Sequence, residues 1–139
     1  MKKILFFLLF SVTISGFSQT YFTRTGTTNF KASVTAFEPV EATNKSTTVI
    51  LKTATGDLAT QLFMTAFQFR VALMQEHFNE NYMDSNTHPK AVFKGKLADF
   101  NFTELSIKKE YNLSGTLTVK GVKKEINTTA RVTLEGDKI

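Results

Sequence analysis

The segment YNLSGTLTVKG (111–121) alternates with a period of two, and it limits the possible folds more than any other stretch. Tyr111, Leu113, Gly115, Leu117 and Val119 fall on one face; Asn112, Ser114, Thr116, Thr118 and Lys120 fall on the other. Successive side chains of a strand point to opposite sides, so the pattern predicts an antiparallel strand with one apolar and one wet face. Lys120-Gly121-Val122-Lys123 reads as a tight turn, because glycine accepts the positive φ that hairpin turns require. The run 122–134 then returns, with Val122, Ile126, Ala130, Val132 and Leu134 in phase against Lys123, Glu125, Arg131 and Thr133.

The same rhythm recurs upstream. KSTTVILKT (45–53), a turn at 53–57 and LATQLFMTAF (58–67) predict a second hairpin, and KAVFKGKLADF (90–100) sets Ala91, Phe93, Gly95 and Leu97 against Lys94 and Lys96. YFTRTG (21–26) and TTNFKASV (27–34) are two shorter strand candidates. One segment breaks the pattern. Across 69–83, Phe69, Leu73, Met74, Phe78 and Tyr82 recur at helical spacing, and Pro89 bars helix beyond His88. The expected class is mainly β, with one short amphipathic helix inserted mid-chain. Such a sheet must form a sandwich or close on itself to remove its edges.

Residues 1–18 are read as a signal peptide outside the folded domain, which then spans 19–139. Lys2 and Lys3 precede the apolar run ILFFLLF (4–10), and Gly16-Phe17-Ser18 supplies a small-x-small cleavage site. Cleavage removes two of the lysines behind the net charge of +5. The remaining basic residues are scattered and make no stripe interleaved with aromatics, which argues against a nucleic-acid partner. The chain has no cysteine, so no disulfide supports the core and no lipid can be attached after export. The expected location is the periplasm or the medium, with only transient membrane contact.

The stretch MQEHFNENYMDSNTHPKAVFKG (74–95) concentrates both histidines, His77 and His88, with Glu76, Glu80 and Asp84. A zinc site takes three or four ligands, and the order here does not match H-E-x-x-H. Glu76 and Glu80, four apart, read as a solvated helix face. With no cysteine and no G-x-S-x-G elbow, no catalytic constellation, metal or cofactor is expected. The apolar residues carry more: ten of the fourteen phenylalanines lie beyond residue 18, and there is no tryptophan. A barrel lined this way either packs full of its own side chains or keeps a cavity.

FQFRVALMQEHFNENYMDSNTHPKAVFKGKL (67–97) and YNLSGTLTVKGVKKEI (111–126) together resemble the YceI-like, polyisoprenoid-binding family. The resemblance rests on F-x-F before the helix, L-M-x-x-H-F-N within it, H-P-K-A-x-F-x-G entering the next strand, and L-S-G-x-L-T-V-K-G-V at the hairpin. It implies a lipocalin-like antiparallel β-barrel that holds an isoprenoid or other long-chain lipid and is not an enzyme. By this analogy Phe67, Phe69, Leu73, Met74 and Phe78 would form pocket wall or cover. Phe93, Leu97, Leu113, Leu117 and Val119 would face inward, and Lys90 or Lys94 would meet a polar head group. Family members continue past VTLEGDKI (132–139) through strands that close the barrel. The favoured expectation is a fragment whose missing C-terminal strands supply the rest of the barrel wall; a chain complete at this point would instead leave an open edge beside the first strand, inviting a homodimer. Two other readings compete: a secreted structural or stress-related protein without a small ligand, and a metalloprotein or enzyme using His77 and Glu76.

Overall fold

The alternating runs pair into one antiparallel sheet. The computed structural model describes residues 19–32 and 39–139, so the signal peptide read at 1–18 lies outside the described residues, as does the end of the 27–34 strand candidate. The elements are β1 (Thr20–Ala32), β2 (Val40–Lys52), β3 (Asp57–Phe63), β4 (Gln68–Phe69), α1 (Ala72–His77), β5 (Lys90–Leu97), β6 (Glu110–Val119) and β7 (Val122–Arg131). The strand order is β1-β2-β3-β5-β6-β7, with β4 adding a short second partner to β2. Among the described residues β1 and β7 are not paired with each other, so this lipocalin-like sheet is not closed.

Three boundaries differ from the sequence reading, each for a local reason. The two short strands expected near the start are one strand, β1, with register shifts between Thr23 and Gly26 and between Gly26 and Thr28. Such bulges let a long strand bend while it stays paired, and they blur its alternation. The β6–β7 turn is Val119-Lys120-Gly121-Val122, one residue earlier than expected, because Val119 pairs with Val122. Both central residues take left-handed backbone, φ 49° at Lys120 and 73° at Gly121, as a two-residue hairpin requires.

The helix is shorter than its periodicity suggested. Phe69 pairs with Ala42 as part of β4, which holds the chain extended up to Val71 (φ −114°). Helix begins at Ala72 and ends at His77; over 78–82 the turn widens, with the Met83 N–H donating to the Phe78 carbonyl at 2.9 Å. The Met64 N–H donates to the Pro89 carbonyl at 2.8 Å, closing the base of the whole 64–89 insertion.

Directly paired residues project from the same face, so the register shows which side chains share a surface. One face carries both apolar clusters. The first gathers Ala42, Leu62, Met64, Phe67, Phe78 and Ala91, with Phe30, Phe69, Met83 and Val119 against it. The second gathers Leu51, Leu97, Leu105, Tyr111 and Val132, with Tyr21, Leu58, Phe100 and Leu113 against it. Asn44 is fully buried and fully satisfied: its Nδ2 donates to the Phe63 carbonyl at 3.0 Å and its Oδ1 accepts from the Ser46 N–H at 2.8 Å.

Candidate functional site

Between the two clusters runs a transverse row that belongs to neither. Thr23 pairs with Val49, Val49 with Thr60, Thr60 with Phe93, Phe93 with Leu117, and Leu117 with Lys124. Val49, Thr60, Phe93 and Leu117 are all half-buried, as is Ile126 beside them. Their chemistry suits a core, yet water still reaches them, whereas cluster residues such as Leu97 are only 1% exposed. The band is apolar surface between two dry clusters that remains open to water.

A glycine pair shapes the floor of this band. Gly95 pairs with Gly115, and a Cβ on Gly115 would collide with the Lys94 carbonyl and the Gly95 Cα. A Cβ on Gly95 would sit 2.6 Å from Cζ of Phe93, so the Phe93 ring lies over the glycine. Removing both side chains lets β5 and β6 approach closely and leaves the ring room to lie flat.

At the β1 end of the row, Thr23 and Val49 also line a cleft of about 670 Å³, together with Tyr21, Leu51, Leu58, Ala130 and Val132. That volume is typical of small-molecule sites. Its rim includes Thr23, Arg131 and Lys138.

At the insertion end, four aromatic rings close the first cluster. Phe78 packs against Phe69 (centroids 4.9 Å apart), Phe30 (5.3 Å) and Phe67 (5.6 Å), in tilted and edge-on geometries favoured by aromatic quadrupoles. At the other end Tyr111 donates its hydroxyl to the Lys108 carbonyl at 3.1 Å. Burial, aided by the negative charge of Glu104, pushes its phenol pKa upward.

The residues singled out in the sequence separate into three groups. Phe67, Phe78 and Leu97 are buried in the clusters; Phe69, Met74, Phe93, Leu113, Leu117 and Val119 are half-buried. Leu73 stands apart at 57% exposure, on a helix that buries none of its residues. Lys90 and Lys94 are not brought to the apolar face. Lys90 pairs with Phe63 and lies over its ring at 5.0 Å, and Lys94 pairs with Ala59 and Thr116, on the side opposite Phe93. Period-two geometry puts both lysines on the outer side of the sheet, so neither shares the face of Phe93.

His77 and Glu76 are exposed on α1, whereas His88 lies under the β6–β7 turn, with its Cε1 3.3 Å from where a Gly121 Cβ would sit. Among the described residues no three His, Asp or Glu side chains converge as metal ligands. Sequence reasoning missed Val49, Thr60 and Ile126 as members of the band, and also Lys124. Their alternation was visible, but the pairing that aligns them spans several strands.

Comparison with known proteins adds to this geometry. The family model for the YceI-like domain matches residues 8–138. Among solved structures, a polyisoprenoid binding domain from Saccharophagus degradans, implicated in plant cell wall breakdown, superposes with a TM-score of 0.67 at 14% identity. That match covers 84% of this chain and 68% of the other. The YCEI protein of Campylobacter jejuni matches with a TM-score of 0.55 at 18% identity, over 73% of this chain and 60% of its own. At such identities the likeness is one of fold. No curated protein matches the chain.

Proposed function

The chain belongs to the family of YceI-like domains, and from that premise we propose that it binds an isoprenoid or similar long-chain amphiphile on the apolar face of its sheet. The observation that carries this reading is the half-buried band of Val49, Phe93, Leu117 and Ile126 between two dry clusters. The likeness to a polyisoprenoid binding domain supports the class of ligand. Each CH₂ of a tail removed from water contributes ~0.8 kcal/mol, so a few prenyl units on this band give substantial affinity without any polar contact.

In this reading the protein binds without turnover. It is exported, works in the periplasm or outside the cell, and touches membranes only to load or release its lipid. The unpaired edge of β1 is where a second copy would pair into a homodimer. Organic extraction of protein taken from its native compartment, followed by mass spectrometry, tests the reading. A stoichiometric long-chain lipid is expected; protein that is stably folded and yields none, and takes up none when offered it, contradicts the proposal.

A further inference from the structure

The β6–β7 register puts a charge on a face whose other strand residues are uncharged. Lys124 pairs with Leu117 and so shares the face of Phe93 and Val49, at the β7 end of the transverse row. Its neighbours on the same side of the strand are Val122 and Ile126. The other charges of β7 project from the opposite side, and two of them have partners there. Arg131 meets Glu110 at 2.7 Å, and Glu125 accepts from the Thr116 hydroxyl at 2.6 Å. Among the described residues no carboxylate lies within ion-pairing distance of Lys124.

A lysine in this position can lay its aliphatic stem along Leu117 and Ile126 while its ammonium stays at the open edge. We propose that Lys124 holds the anionic end, carboxylate or phosphate, of a single-chain amphiphile whose tail runs over Leu117 and Phe93. This assignment rests on the reading of the apolar face as the ligand site, and it adds the charge of the head group and the residue that meets it. A lysine turned inward on an edge strand also discourages a second strand from pairing. That role alone would make no distinction between charged and neutral ligands.

The test uses the full chain and three probes of equal length: dodecyl phosphate, dodecanoate and dodecanol. The wild-type protein is expected to bind both anions roughly tenfold more tightly than the alcohol, as a charge-assisted contact allows. Lys124→Gln should abolish that preference and leave dodecanol affinity unchanged, while Lys123→Gln, on the outer face, should alter nothing. Persistence of the anion preference in Lys124→Gln, or its absence in the wild type, overturns the assignment while dodecanol binding preserves the ligand face. Failure of dodecanol to bind the wild type overturns the reading of the face and the assignment with it. Displacement of dodecyl phosphate by inorganic phosphate alone at comparable concentration would overturn the amphiphile as occupant.

Discussion

The ends of the sheet and its middle use the same residue types to different effect. At the insertion end Phe67 and Phe78 are each 5% exposed, sealed by Phe30 and Phe69. In the middle, Phe93 lies on the same strand and face as Ala91 and Leu97, and Leu117 pairs with it from β6, yet both stay half-buried. The difference lies in what covers them. The 64–89 insertion supplies the cover at one end, and Phe100, Phe102 and Leu105 from the 98–109 connection supply it at the other. Among the described residues neither cluster includes Val49, Phe93 or Leu117. A side chain's contribution to stability depends on the surface it loses to packing, so the ends hold the fold more than the middle does, and the middle is where we propose that a ligand lies.

The comparison breaks most visibly at the ends. Phe78→Ala should cost about 4 kcal/mol of unfolding free energy, measured by urea denaturation, because it opens a cavity among the rings of Phe30, Phe67 and Phe69. If it costs no more than a half-exposed residue, the insertion end is not the anchor described. Gly115→Ala should come next, at about 2 kcal/mol, since its Cβ would meet backbone rather than a movable side chain. Full tolerance of alanine there would mean that β5 and β6 need no close approach.

Leu117→Ala sharpens the contrast. It should cost about 1 kcal/mol of stability, well below Leu97→Ala at about 3 kcal/mol, while weakening binding of a long-chain alcohol severalfold. Equal stability losses for the two leucines would erase the distinction between middle and ends.

The smallest effect belongs to the outer face. The hydrogen bond from Lys31 and its positive charge, with the two groups 3.0 Å apart, hold the Glu41 carboxyl below its ordinary value. A lowered folded-state pKa means that the pair's stabilisation is present above the unfolded-state pKa and is lost as pH falls through the folded-state value. Both side chains are solvated, so Lys31→Ala should return the Glu41 titration, followed by NMR, toward normal with little change in stability and none in ligand binding.

Much of this architecture was legible in the sequence because period-two alternation is local. Tyr111, Leu113, Leu117 and Val119 do share a face, and that face does carry the buried clusters. What alternation could not convey was depth. Leu97 and Leu117 look alike in sequence, and only long-range cover buries the first and spares the second. Helical spacing misled at Phe69, where two backbone pairings to β2 outweighed a weak local helix signal. Lys90 and Lys94 drew attention for their charge although their phase already pointed them outward, while Lys124, in phase with Ile126, passed unnoticed.

Methyl NMR during titration with a long-chain prenyl alcohol tests the central claim most directly. The account predicts large shifts and intermolecular contacts at the Val49, Leu117 and Ile126 methyls, with Leu105 and the outward Ile50 and Ile107 left unchanged. Contacts confined to Ile50 or Ile107, or no contacts at saturating lipid, would contradict it.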